Sequence, residues 1–152
     1  MFSRIISVLA TWFGCGKAPR APGTFGTIGA IPLVWAFART GPLQYMFLTL
    51  VFSVGAILVA HLHEALTAKH DLSEVVIDEV AGLLVTMTWV PFTWPYVLAG
   101  FLLFRFFDVL KPWPISYIDQ KVGGGVGTVG DDLVAGILSN IILQLVLKQG
   151  WI

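Results

Sequence analysis

The sequence predicts an all-α, membrane-embedded bundle of several helices, some short or broken, and three observations predict it. Hydrophobic residues make up 57% of the 152 residues and charged ones only 12%, with mean hydropathy +0.84, far more apolar than a soluble domain. The apolar residues run in continuous stretches without the alternation of barrel strands, and inside lipid only helices and closed barrels satisfy every backbone group. Prolines and glycines interrupt those stretches, so several helices must be short, tilted or only partly inserted. The length suits one domain spanning residues 1–152.

At the N-terminus one early arginine, Arg4, precedes a short apolar run. The run is too short and too weakly basic for a signal peptide, and more membrane-like sequence follows, so it reads as part of the mature chain. Apolar stretches then occur at about 28–38, 43–60, 80–104 and 132–147. Only the second and third approach the ~20 residues that cross a hydrocarbon core as a simple helix. Within the third, Pro91 and Pro95 flank Phe92-Thr93-Trp94, and prolines so close remove donors and push the preceding residues out of helical geometry. That stretch therefore reads as two helices, roughly 79–90 and 96–110, joined by a turn. Trp89, Trp94, Tyr96 and Trp113 lie near these breaks, where amphipathic rings suit either the headgroup layer or the core. Residues 61–78 form the one extended polar segment, and lysines and arginines are spread too evenly between loops to fix a topology.

Nine basic and nine acidic residues leave a formal charge of zero, without the basic excess that a nucleic-acid partner requires. The single cysteine, Cys15, excludes an internal disulfide and a thiolate cluster. Four residues separate it from Arg20, one fewer than the cysteine-phosphatase loop has, so it reads as a small buried filler.

Charges concentrate in a few places. Arg105, Asp108 and Lys111 recur every third residue and form a polar ridge on one helix. Such residues inside an apolar helix are costly and suggest function. An Arg105–Asp108 ion pair is the structural alternative, but Lys111 before Pro112 adds an unpaired positive charge where a phosphate can be held. Residues 71–79 run from the polar segment into a helix, with Glu74 and Asp78 four apart and Glu79 one step round. Crowded carboxylates repel unless a proton or cation lies between them, and a hard ion such as magnesium suits oxygen ligands; favourable placement at a helix N-terminus is the plainer reading. A second acidic pair, Asp131-Asp132, follows the glycine-rich run 123–130, which reads as flexible backbone leading to a metal site. Thr24 and Thr27, in the segment 18–29 with its prolines and glycines, offer hydroxyls at a helix start, either for an anion or as an ordinary cap. No Lys-Ser or Lys-Thr follows the glycines, so this is not a P-loop. His61 and His63 point to different sides of a helix and, with Glu64, read as polar helix-end residues before a metal pair.

Taken together, Pro22-Gly23-Thr24-Phe25-Gly26-Thr27, Val76-Ile77-Asp78-Glu79-Val80-Ala81-Gly82, residues 104–115 with Arg105, Asp108 and Lys111-Pro112-Trp113-Pro114-Ile115, and Gly130-Asp131-Asp132-Leu133-Val134-Ala135-Gly136 closely resemble bacterial phosphatidylglycerophosphatase A. The resemblance covers most of the chain in the family's order. It implies a magnesium-dependent, multi-pass enzyme of the bacterial inner membrane, acting among membrane lipids on phosphatidylglycerophosphate to leave phosphatidylglycerol and phosphate. Thr27 stands where the family often has serine, and residues 61–74 match less well.

The residue inventory suits that chemistry. Magnesium held by carboxylates neutralises phosphoryl oxygens and activates water. Asp78, Glu79, Asp131 and Asp132 are the candidate metal ligands or base, Asp108 an orienting group or further ligand. Arg105 and Lys111 are the candidates for holding phosphate oxygens, with Thr24 and Thr27 as hydrogen-bond donors. No residue offers a convincing covalent route, so direct attack by metal-activated water is expected. A CDP-alcohol phosphotransferase lacks support because its long aspartate pattern is missing. A small cation-binding or transport subunit is the non-enzymatic alternative, and the fixed charges of Arg105 and Lys111 count against it.

Overall fold

A computed structural model describes residues 2–68 and 73–150. It is all-α, with seven α-helices and no strand among the described residues: α1 (Phe2–Ala10), α2 (Pro22–Ala38), α3 (Pro42–Thr67), α4 (Ile77–Thr86), α5 (Trp94–Leu110), α6 (Ile115–Lys121) and α7 (Gly124–Gln149). A short 3₁₀ turn, Cys15–Lys17, precedes α2. Prolines open three helices: Pro22, Pro42 and Pro95 lie in the first turns of α2, α3 and α5, where a missing N–H costs nothing.

The third apolar stretch does divide at its prolines, into α4 and α5. The fourth is longer than the sequence suggested. Residues 123–130 do not form a flexible loop; from Gly124 onward they are the first turns of α7, and at Gly125 the missing side chain serves packing. A methyl group on Gly125 would lie 2.3 Å from the Ile57 carbonyl oxygen of α3, and one on Gly136 would lie 2.5 Å from the Gly82 oxygen of α4. Glycine lets these helices approach backbone to backbone, as small residues do between helices in lipid. Among the described residues, helices α3 and α7, at 26 residues each, are therefore the two long and apolar enough to cross a membrane, each about 39 Å long at 1.5 Å per residue.

Helix α4 is the centre of the molecule. Its residues Val80 to Leu84 are all buried, and it packs most extensively on α7, then on α2 and α3. A ten-residue helix in such a place needs its last carbonyls satisfied. Asn140 Nδ2 of α7 donates to the Thr86 and Thr88 oxygens at 2.8 Å each, and Tyr45 Oη of α3 donates to the Leu84 oxygen at 2.9 Å. At its other end, Val76 N–H donates to the Ala10 oxygen, tying the start of α4 to α1.

Apolar side chains also cover the outside. Leu43, Phe47, Leu50, Val54 and Leu58 form an exposed stripe on α3, and Leu98, Leu102, Phe106 and Val109 one on α5. Trp89, Trp94 and Trp113 are exposed at the helix breaks, and Tyr96 is partly buried. Cys15 is half-buried and free, packed near Gly29 of α2.

Candidate active site

Five helices bring charge and backbone to one cavity of about 400 Å³. The first turn of α4 supplies Asp78 and Glu79, the last turns of α5 supply Arg105 and Asp108, α6 supplies Asp119, α7 supplies Asp131 and Asp132, and Ala21 to Gly23 form a wall at the start of α2. Lys111 ends α5 in the left-handed region, at φ 42°. Pro112 and Pro114 then turn the chain into α6. Six carboxylates thus face two cations, Arg105 and Lys111.

Three of the carboxylates converge. Asp78, Glu79 and Asp132 each offer one oxygen, and these oxygens all lie within 4.8 Å of one another. Asp132 is only 3% exposed, and Glu79 Oε2 is buried without a hydrogen-bond partner among the described residues. Burial, reinforced by the neighbouring Glu79 charge, pushes the Asp78 carboxyl well above the usual carboxylate range. Burial likewise lifts Glu79 to about 8, against the lowering effects of the Asp78 hydrogen bond and the Arg105 guanidinium. Buried carboxylates in mutual repulsion are stable only when protonated or joined to a cation. Three hard oxygen donors in this arrangement, with Glu79 Oε2 buried and unpartnered beside them, are a ligand set of the kind that a hard divalent cation takes.

Asp131 does not join that group. Successive residues on a helix point about 100° apart, so Asp132 faces α4 while Asp131 faces Lys111, whose Nζ donates to Asp131 Oδ2 at 2.7 Å and also to Asp119 Oδ1. Two consequences correct the sequence reading. The four expected metal-site acids divide into a triad and a separate Asp131, and Lys111 is not an unpaired charge. Burial disfavours the Lys111 ammonium, yet its bonds to Asp119 and Asp131 outweigh this and raise its pKa. Asp131 Oδ1 itself is buried without a partner among the described residues.

Arg105 Nη1 donates to Asp108 Oδ2 and lies 3.8 Å from Glu79 Oε1. Asp108 in turn neighbours Asp132, so the ridge of α5 does meet both acidic pairs. Gly23 accounts for the closeness of α2: a methyl there would fall 2.2 Å from Glu79 Oε1 and 2.9 Å from Arg105 Nη1.

Other expected residues lie elsewhere. Neither Thr24 nor Thr27 lines the cavity. Thr27 is fully buried and its hydroxyl donates to the Gly23 oxygen one turn back, at 2.8 Å, a local bond that helical threonine readily makes. Glu74 sits in the turn before α4, which begins at Ile77, so it shares no helical face with Asp78; residues 71 and 72 of that segment lie outside the described residues. His61, His63 and Glu64 belong to the last turns of α3 and form no three-ligand group among the described residues, although Thr128 Oγ1 donates to Glu64 Oε1 at 3.4 Å. Asp119 escaped the sequence reading. Its only signal was a lone acid after the apolar Ile115, and two prolines break any helical spacing that would have linked it to Lys111.

The family model of phosphatidylglycerophosphatase A matches residues 8–147. A protein of Escherichia coli (strain K12) named phosphatidylglycerophosphatase A is 40% identical over 145 residues, covering 91% of this chain and 81% of its own length. One of the same name from Haemophilus influenzae is 38% identical over 144 residues, covering 91% and 86%. A Bacteroides thetaiotaomicron protein named "Putative phosphatidylinositol-3-phosphatase" is 33% identical over 152 residues, covering 91% of each. No solved structure gives a significant match.

Proposed function

This chain belongs to the phosphatidylglycerophosphatase A family, and on that premise we propose that it hydrolyses the terminal phosphomonoester of phosphatidylglycerophosphate, with magnesium, at the cavity between α4, α5 and α7. The observation that carries the reading is the meeting of Asp78, Glu79 and Asp132 within 4.8 Å, beside Arg105 and across from Lys111. Asp78, Glu79 and Asp132 would hold the ion, which when bound neutralises phosphoryl oxygens and lowers the pKa of water.

The chain's own groups account for the rest. Arg105 keeps guanidinium donors beyond the Nη1 spent on Asp108, enough to grip phosphoryl oxygens. Lys111, with two of its three donors on carboxylates, can offer the third. Asp131 Oδ1 is the acceptor for the proton that the attacking water loses as its oxygen bonds to phosphorus. The phosphorus–oxygen bond to glycerol breaks, and the alkoxide takes up the proton that Asp131 accepted, giving phosphatidylglycerol and leaving Asp131 ionised again. Gly23, by leaving room for Glu79 and Arg105 to lie side by side, keeps the ion and phosphate sites in contact.

The exposed apolar stripes of α3 and α5 and the length of α3 and α7 support a multi-pass position in the bacterial inner membrane, where a phospholipid headgroup can enter the cavity while its acyl chains stay in lipid. A cation pathway is the weaker reading, because Arg105 and Lys111 stand in the same cavity as the acids and repel a permeant cation.

Purified protein in detergent is expected to release phosphate from phosphatidylglycerophosphate, to stop with EDTA and to recover when magnesium is restored. Phosphatidylinositol 3-phosphate, tested alongside, is expected to react more slowly. Phosphate release that survives metal removal contradicts the magnesium requirement. Release from the inositol lipid alone contradicts the substrate.

A further inference from the structure

We propose that Asp119 is a positioning residue that holds Lys111 at the cavity mouth, ready for a phosphoryl oxygen. The inference rests on the reading of the cavity as a phosphatase site. Lys111 is a flexible four-carbon stem on a helix cap, and an ammonium on such a stem has no fixed direction of its own. Two carboxylates give it one. Asp131, on α7, draws it inward at 2.7 Å with a side chain only 6% exposed, while Asp119, on α6, bonds the same Nζ from a position 35% exposed. Held between an inner and an outer acceptor, the ammonium is shared by Asp131 and Asp119 rather than paired with Asp131 alone or left to swing out to solvent. Its third hydrogen is left for a ligand. The turn through Pro112 and Pro114 is what brings α6 back over the cavity, so that a residue eight positions along the chain reaches Lys111.

A purely structural role is the competing explanation, and it makes a different forecast. Partly exposed ion pairs contribute little to stability, so removing Asp119 should leave thermal unfolding nearly unchanged while altering substrate binding. The test is a cycle of wild type, Asp119→Ala, Lys111→Ala and the double variant, measured as phosphate release from phosphatidylglycerophosphate in detergent with excess magnesium. Asp119→Ala is expected to raise KM about tenfold, the size of coupling common between contacting residues, with kcat changed less. Asp119→Glu should recover much of the loss, and the double variant should match Lys111→Ala. Independent, multiplying effects overturn the proposal, as does an unchanged KM in Asp119→Ala. Should Asp119→Ala lose cooperative unfolding, Asp119→Asn, which keeps the shape and drops the charge, carries the same comparison. An inactive wild type would instead overturn the phosphatase reading, and this inference with it.

Discussion

Asp132→Asn is expected to lower kcat for phosphate release by about a hundredfold or more, the scale on which single catalytic groups act, while the protein remains folded. The carboxylate is 3% exposed and meets Asp78 and Glu79 across the α4–α7 contact. The amide preserves shape and one oxygen but removes the charge that a divalent ion needs. Because the neighbouring acids repel one another when no ion is present, losing one charge should leave thermal stability equal or higher in metal-free detergent. That opposite movement of activity and stability separates a ligand from a structural residue. Steady-state kinetics with thermal unfolding in EDTA checks it, and a variant of full turnover would remove Asp132 from the site.

Gly136→Ala is expected to cost about 1–3 kcal/mol, the usual penalty of overpacking a close contact, and to reduce activity with it. The new methyl would sit 2.5 Å from the Gly82 oxygen of α4. That neighbour is backbone, so relief requires α4 and α7 to separate, and those two helices hold the acids together. Gly55→Ala is the control: among the described residues nothing lies within 4 Å of its new methyl, and alanine favours a helix by roughly 1 kcal/mol. Thermal unfolding in detergent should show the first variant weakened and the second unchanged or strengthened. Equal behaviour of the two would mean that the α4–α7 contact is not tight.

Much of this fold is written plainly in the chain. Pro91 and Pro95 mark the break between α4 and α5 because proline acts locally, through its own missing N–H and its clash with the preceding residue. The acids of α4 and α7 are visible for a similar reason: charge is conspicuous where nearly everything is apolar. What escaped was decided by distance along the chain. The glycines of 123–130 look flexible in isolation, and only the neighbouring α3 backbone reveals Gly125 as a helix-packing position. Asp131 and Asp132 look like a unit, yet one turn step sends them to different partners. Thr27 carries an exposed-looking hydroxyl pattern but spends it on its own helix. Asp119 could be joined to Lys111 only after the turn through two prolines had been built.

The most direct test is titration of the purified protein with manganese, read by the loss of free-ion paramagnetic resonance signal and compared with Asp78→Asn and Asp132→Asn. One tight site in wild type, weakened at least about tenfold by either substitution alone, is the predicted result, since even outer-shell changes around a metal cost about that much. Manganese bound with wild-type affinity by either variant would contradict the claim that α4 and α7 share one ion.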